Sequence, residues 1–329
     1  MRLLIKKIDA DGRLSLLPQL LETPWEFEIV DPGDHASFSR SLERADAMVS
    51  MSWKWDTPAA EHLRLLQLPG AGTDEIEFQR LGTRTTVCNC YEHEIGIAEY
   101  VLASMLAWTV PIHRMDNDLR RGRWAGSYLC GPQHGELFDK TVGIVGYGHI
   151  GREVARRAKA FGMRVLCCTR TPRAPDGYAD RIDDMAQFLR MLNESDFVVI
   201  TTPLTESTRG LFDRHAFSAM RSSSVLINVA RAAIADEAEL FSALKDHRIG
   251  GAVLDVWYRY PEQGQVDGPS PSAFPFRELD NVVMTPHGSA WTEGLIKRRN
   301  RVIAGNLDRL ARGKPLVNVV RAPVDSIRE

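Results

Sequence analysis

The chain has 329 residues, enough for two domains of ordinary size. Its 41 Lys and Arg are balanced by 43 Asp and Glu. This excludes the strongly basic composition of a nucleic-acid binder or an anionic-membrane binder. No apolar run approaches the ~18 residues of a membrane span. The five cysteines, Cys88, Cys90, Cys130, Cys167 and Cys168, are odd in number and lack disulfide-scaffold spacing, so a reduced, cytoplasmic protein is expected. Cys88-x-Cys90 has no histidine or second cysteine pair nearby, and no metal site is expected.

The opening "MRLLIKKIDADGR" alternates and is charged, which suits a first strand rather than a signal peptide. Strands are predicted at 2–8, 25–31 and 46–52, with helical apolar spacing at 14–22 and 59–67. A longer helix fits 94–110, and its apolar breadth implies burial between domains or subunits. The basic "RRGRW" at 120–124 reads as a solvated helix end. From 141 the pattern becomes a βαβ series, with strands at 141–146, 164–168, 196–202, 224–230, 250–256 and 281–286. Helices are predicted between them at 150–161, 184–193, 214–221 and 236–247. Near-continuous Val, Ile and Leu runs separated by helices imply a parallel sheet covered on both faces. A last amphipathic helix, 292–313, should return to pack on the first domain.

The stretch "TVGIVGYGHIGREVA" holds Gly146-x-Gly148-x-x-Gly151 at the junction of a strand and a helix. In that context the first glycine turns the chain and the second lets the backbone approach a pyrophosphate. The third lets helix and strand pack closely, while the helix start offers free N–H groups. Tyr147, His149 and Ile150 complete the loop. An acidic residue after the next strand would favour NAD. Here the strand ends "CCTRTPR", giving Thr169, Arg170 and Arg173, whose fork-like donors suit an adenosine 2′-phosphate. NADP is the preferred cofactor on this reading, and NAD remains possible.

The blocks "GELFDKTVGIVGYGHIG", "DFVVITTPLTESTRGLF", "LINVARAAIADEAEL", "GAVLDV" and "MTPHGSAWTEG" together resemble the D-2-hydroxyacid dehydrogenase family over essentially the whole chain. The resemblance implies an α/β protein of two Rossmann-like domains with parallel sheets and a cleft between them. The cofactor domain, 110–291, would be inserted into a flavodoxin-like substrate domain, 1–109 and 292–329. It also implies a homodimer acting on a small 2-oxo or 2-hydroxy acid, with no nucleic-acid or membrane partner. By motif matching, Arg231 would bind and polarise the substrate and His287 would be the acid/base. Charge building on a carbonyl oxygen needs both groups. The loop "PGAGTDEI" points to Ala71 and Gly72 as substrate-carboxylate donors. Thr202, Pro203, Thr208, Val229, Ala230 and Asp255 would line the dinucleotide, with Asp255 near the carboxamide. Trp53, with Ser52 and Lys54, follows a strand end and is a candidate pocket residue.

One position departs from the family. Five residues after the aspartate of "LDV", where the family carries a glutamate that raises the pKa of the histidine, stands Tyr260; Tyr258 replaces a frequent second acid. A neutral phenol can orient an imidazole but supplies no charge. If Tyr260 fills that slot, reduction should fall off earlier as pH rises. Glu262 or Glu94 could instead substitute, or the usual chemistry could be lost. Ala232 replaces a customary glycine. The leading expectation is an NADP(H)-preferring 2-oxo acid reductase of glyoxylate or hydroxypyruvate type. Its rival is a nucleotide-sensing scaffold on the same fold.

Overall fold

The computed structural model describes residues 1–10, 12–262 and 265–324. Residues 325–329 of the predicted first domain lie outside that description. The chain divides into two compact units, Met1–Glu92 with the segment from Thr292 onward, and His93–Trp291. The sequence-based boundary at 109/110 differs from this division by one helix, 94–109, which packs within the second unit.

The first unit opens with β1 (Arg2–Lys6), α1 (Lys7–Ala10), α2 (Leu17–Leu20), β2 (Glu26–Val30), α3 (His35–Leu42), β3 (Ala47–Val49), β4 (Leu65–Gln67) and β5 (Thr86–Cys88). The strand predicted over 2–8 therefore ends at Lys6, and the helix predicted over 14–22 is one turn long. The helix predicted over 59–67 is overturned. Leu63, Leu65, Leu66 and Leu68 are all buried around a strand covered on both faces, and such a short continuous run imitates helical spacing.

The second unit contains α4 (Glu94–Thr109), α5 (Ile112–Arg120), β6 (Thr141–Val145), α6 (His149–Ala160), β7 (Arg164–Cys168), β8 (Arg181–Asp183), α7 (Phe188–Glu194), β9 (Phe197–Ile200), α8 (Arg214–Ala219), β10 (Val225–Asn228), α9 (Glu237–Lys245), β11 (Gly251–Leu254) and β12 (Val282–Met284). The predicted strands are present, shortened mainly at their carboxyl ends, where loops begin. The sheet is parallel throughout, in the order β12-β11-β10-β9-β6-β7-β8. The direction of winding reverses between β6 and β9, which is the switch point where doubly wound sheets place ligands.

Successive side chains of each strand enter opposite cores. Val142, Ile144, Val165 and Cys167 pack with Ile97, Val101 and Met105 of α4 and Val154 and Ala158 of α6. Val145, Leu166, Cys168, Val198 and Ile200 face Met191 of α7, Phe217 of α8 and Leu240 of α9. The apolar breadth of α4 is thus largely answered inside its own unit. Burial pushes the Cys168 thiol up to about 12, which leaves it a core residue rather than a reactive one.

The chain ends with α10 (Glu293–Ala311) and β13 (Val319–Arg321). β13 pairs antiparallel with β5, completing the order β13-β5-β4-β3-β1-β2, whose parallel part is flavodoxin-like. Ile303, Ala304, Leu307 and Leu310 of α10 cover Leu3, Ile5, Val49 and Leu65, so the last helix does return to the first unit's core. Among the described residues no single helix is long and apolar enough to cross a membrane.

Asn306 anchors this return. Fully buried, it donates to Gln67 Oε1 (2.8 Å) and to the Val317 carbonyl (3.0 Å), and accepts from the Val317 N–H (2.9 Å). Asn306→Ala would remove three hydrogen bonds, one of them to the fully buried Gln67, whose orphaned oxygen costs ~1–3 kcal/mol. A fall in melting temperature of at least about 4 °C is expected by calorimetry; a shift below about 1 °C would contradict this account.

Candidate active site

The glycine loop leaves the carboxyl end of β6 beside that of β9. Gly146 has φ +97°, and a Cβ there would lie 2.8 Å from the Thr202 Cα and N. A Cβ on Gly151 would lie 2.3 Å from the Gly146 carbonyl oxygen, so close packing of helix on strand requires glycine there too. At Gly148 a Cβ would meet nothing within 4 Å. Open space over the middle glycine is what a close-approaching pyrophosphate needs. Gly148 also caps α6 without a side chain, leaving the helix start to offer backbone N–H groups. The residues present therefore fit a dinucleotide.

Tyr147 does not point away from this loop. Its ring is buried, and its hydroxyl donates to Asp176 Oδ1 (2.8 Å), while Arg152 donates to Asp176 Oδ2 (2.7 Å). Burial and the neighbouring carboxylate push the Tyr147 pKa well above the ordinary phenol value, so it remains a donor. Arg173 lies over the Tyr147 ring, 4.9 Å from its centroid, and donates to its carbonyl at 3.1 Å. Arg173 is therefore engaged in bracing the loop, whereas Arg170 is exposed at the end of β7, next to half-buried Thr169. Asp176 was missed by the sequence reading. Its only signal is that it is the first acid after β7.

Beyond β9, Thr208 closes the next loop by donating to the Pro203 carbonyl (2.8 Å) and accepting from the Thr205 N–H (2.7 Å). Beyond β10, Val229 and Ala230 are buried. Asn228 clamps the turn by accepting from the Ala230 N–H (3.1 Å) and donating to the Arg231 carbonyl (3.0 Å). Arg231 itself donates to the Ala230 carbonyl at 2.8 Å. Asn228 was also missed, although a polar residue inside an apolar strand is a visible signal.

Asp255, fully buried after β11, carries a constraint that the motif reading did not contain. Its carboxylate accepts from Thr285 Oγ1 (2.6 Å), the Gly288 N–H (2.9 Å) and the Ser289 N–H (2.9 Å). Thr285 has one hydroxyl hydrogen, and the carboxylate takes it. Tyr100 of α4, 2.7 Å from Thr285 Oγ1, must therefore donate to that oxygen. Trp257 Nε1 donates to the Thr285 carbonyl at 2.8 Å. These bonds fix the 285–289 turn, in which His287 adopts the left-handed φ of +56°. Such a conformation costs a non-glycine residue on the order of 1 kcal/mol and persists where neighbours impose it.

Tyr260 Oη lies 3.0 Å from His287 Nδ1 and accepts the Trp257 N–H at 3.1 Å. Glu262 is engaged by Gln265 (3.1 Å), and a Glu94 oxygen lies 3.8 Å from His93 Nδ1. The group that the structure brings to the histidine is thus the phenol. His287 is exposed on one side. Desolvation of its packed side nevertheless lowers its pKa below the ordinary value; Asp255 opposes this and Arg231 reinforces it. Tyr260 is shifted upward by burial, against the Trp257 N–H and Arg231, so it stays a phenol. Tyr258, by contrast, is a packing residue whose hydroxyl donates to the Ala235 carbonyl (2.9 Å).

The remaining sequence candidates lie in the first unit. The Ala71 carbonyl accepts from Asn89 (3.0 Å) in the loop after β4, with Gly72 beside it half-buried. Trp53, the pocket candidate after β3, sits in the core of the first unit. It is 1% exposed and packs with Leu66, Leu68 and Ile76, held by backbone bonds to Glu75 and Glu77. The ring fills this core, while its indole Nε1 is buried without a hydrogen-bond partner among the described residues.

The second unit is, by fold and loop chemistry, a dinucleotide-binding domain that also presents an arginine and a histidine braced by a phenol. Residues 102–289 match the family model described as D-isomer specific 2-hydroxyacid dehydrogenase, NAD binding domain. The chain is 30% identical over 324 residues to a glyoxylate reductase of Pyrococcus furiosus, covering 94% of this chain and 93% of that one. It is also 30% identical over 316 residues to the D-3-phosphoglycerate dehydrogenase of Methanocaldococcus jannaschii, covering 93% of this chain and 57% of that protein. The chain thus spans little more than half the length of such phosphoglycerate dehydrogenases. A 2-hydroxyacid dehydrogenase structure from Ketogulonicigenium vulgare superposes with TM-score 0.80 at 26% identity, covering 98% of both chains. The NADPH-dependent glyoxylate/hydroxypyruvate reductase of Sinorhizobium meliloti, solved with NADP and malonate, gives 0.77 at 25% identity, covering 98% of this chain and 97% of that one. The chain belongs to the D-isomer specific 2-hydroxyacid dehydrogenase family.

The glycine geometry makes a direct prediction. Gly148→Ala should melt as the parent does and lose dinucleotide affinity, whereas Gly151→Ala should lose both stability and binding. Calorimetry with dinucleotide titration checks this, and equal melting of the two variants would contradict the assignment.

Proposed function

We propose that the protein is an NADP(H)-preferring oxidoreductase that interconverts a small 2-oxo acid and its D-2-hydroxy acid. The observation that carries this reading is the Arg231–His287–Tyr260 group within the unit that holds the glycine loop. Arg231 and His287 are coupled closely enough that the arginine's charge depresses the histidine's pKa. Gly146, Gly148, Gly151 and the start of α6 would hold the pyrophosphate, and the bound cofactor would supply or accept the hydride. Arg231 binds the substrate carboxylate and polarises the 2-oxo group. His287 gives its Nε2 proton to the oxygen as charge develops there, and Tyr260 orients the ring. The buried Val229 and Ala230 and the Thr202–Thr208 loop shape the dinucleotide's floor, with Asp255 behind the His287 turn. Glyoxylate and hydroxypyruvate fit by analogy with the relatives described above.

Preference for NADP rests on Arg170, which is exposed and uncommitted to the loop, with Arg173 beside it. The five free cysteines support a reducing, cytoplasmic location. A homodimer is supported by the exposed apolar residues Ile112, Leu119, Trp124, Tyr128, Leu129 and Phe138, which gather in one stretch of chain.

The test is turnover of a 2-oxo acid panel with NADPH and NADH, alongside NADPH binding. Turnover of at least one small 2-oxo acid is expected; tight NADPH binding with none would favour a nucleotide-sensing scaffold instead. Arg170→Ala should weaken NADPH by about 10- to 100-fold, the worth of one or two charge-assisted hydrogen bonds, and leave NADH nearly unchanged. Arg173→Ala should weaken both cofactors, because that side chain also braces Tyr147. Equal loss of both cofactors in Arg170→Ala would defeat the 2′-phosphate assignment.

A further inference from the structure

A phenol hydroxyl has one hydrogen and, in its plane, one strong accepting position. The Trp257 N–H can only donate, and at 3.1 Å it fills the accepting position of Tyr260. The Tyr260 hydrogen is then directed to its other partner, His287 Nδ1, at 3.0 Å. A ring whose Nδ1 accepts a hydrogen bond carries its own hydrogen on Nε2 and is neutral. The two charged groups that act on this ring oppose one another, and burial of its packed side tips it toward the neutral form. Arg231 opposes an imidazolium. Asp255 favours one, but its oxygens are already bound by Thr285, Gly288 and Ser289.

From this wiring we propose that Tyr260 is the proton source for reduction, acting through a His287 that stays neutral, so that no imidazolium is formed before hydride transfer. The inference rests on the 2-oxo acid reductase reading and deepens it. A bound reduced nicotinamide would supply the hydride, with both electrons, to C2, and the carbonyl π bond would become a lone pair on oxygen. The Nε2–H bond breaks and its proton joins that oxygen. The Tyr260 O–H bond breaks and its proton joins Nδ1, so the ring ends neutral with the hydrogen now on Nδ1. The tyrosinate is held by the Trp257 N–H and by the positive field of Arg231, and it takes a proton back from water. Rotation of the phenol and exchange at Nε2 then restore the start. An aliphatic alkoxide is a stronger base than a phenolate, whose ordinary pKa is ~10, so both transfers run downhill. Tyr260 is 48% exposed, so its side chain borders solvent. Neutral histidines that polarise a carbonyl are an established device in other enzymes.

The consequence is a pH dependence opposite to that of an imidazolium donor. A histidine with a lowered pKa would make reduction fall about tenfold per pH unit from the acid side of ~6.5 upward. The phenol source predicts a kcat for reduction that is flat from roughly pH 6 to 9 and falls only as the tyrosine titrates. Tyr260→Phe should lower kcat by about 100-fold or more, the usual worth of a positioned proton donor. It should leave KM for the 2-oxo acid and the NADPH dissociation constant within about threefold, since neither Arg231 nor the glycine loop is touched. Tyr260→Glu should restore turnover with a profile that now falls through the histidine range. A proton inventory in mixed light and heavy water should be curved for the parent, with two protons in flight, and linear for Tyr260→Glu. The independent readout is 15N NMR of the imidazoles in cofactor-free protein, where His287 should carry one hydrogen, on Nε2, at neutral pH.

A parent kcat that drops through the acid range, or a doubly protonated His287 at neutral pH, would overturn the proposal. Absence of turnover with every 2-oxo acid would overturn the functional reading instead, and the NMR result would still decide the wiring.

Discussion

The site depends on the burial of the Asp255 carboxylate. A fully buried carboxylate is costly unless its lone pairs are answered, and here they are answered by one hydroxyl and two backbone N–H groups from a single turn. That demand folds residues 285–289 around the carboxylate and holds His287 in a backbone conformation it would not choose alone. Tyr100 and Trp257 brace Thr285 from two further directions. The aspartate of the "LDV" block therefore shapes the turn that carries His287. Removing it would misplace the histidine before it altered any charge.

The second constraint is what stands on the other side of the imidazole. A glutamate there would share a proton with the ring and hold it charged. A phenol that is itself fixed by the Trp257 N–H shares a hydrogen bond but no charge. Arg231, proposed to bind substrate, is close enough to penalise an imidazolium further. The two substitutions of chemistry are linked, because keeping the arginine while losing the carboxylate leaves a neutral ring as the stable state. A mechanism that uses this ring has to draw its proton through Nδ1 rather than from a preformed cation.

Much of this was legible in the residues. Burial of β6, β7 and β9 on both faces reads directly from their continuous apolar runs, and the glycine spacing specifies three different steric demands that the structure places at Gly146, Gly148 and Gly151. Motif order carried the family, and the departure at Tyr260 was visible as a missing acid. What stayed hidden depends on long-range contacts. Asp176 bridges Tyr147 and Arg152 across more than twenty residues, and no local pattern announces it. The bonds of Tyr100 to Thr285 and Asn228 to Arg231 belong to turns whose geometry the sequence leaves open. Trp53 follows a strand end, a common place for a pocket wall, and its burial in the core with Nε1 unpartnered could not be read from its position in the sequence. The stretch 59–67 misled because a short strand buried on both faces and a helix share the same apolar spacing.

The central claim, that a phenol rather than a carboxylate governs the protonation of His287, is most directly tested by neutron diffraction from a deuterium-exchanged crystal near neutral pH. The account predicts deuterium on Tyr260 Oη directed at His287 Nδ1, and deuterium on Nε2 with none on Nδ1. Deuterium on both ring nitrogens, with the Tyr260 hydroxyl turned away, would contradict it.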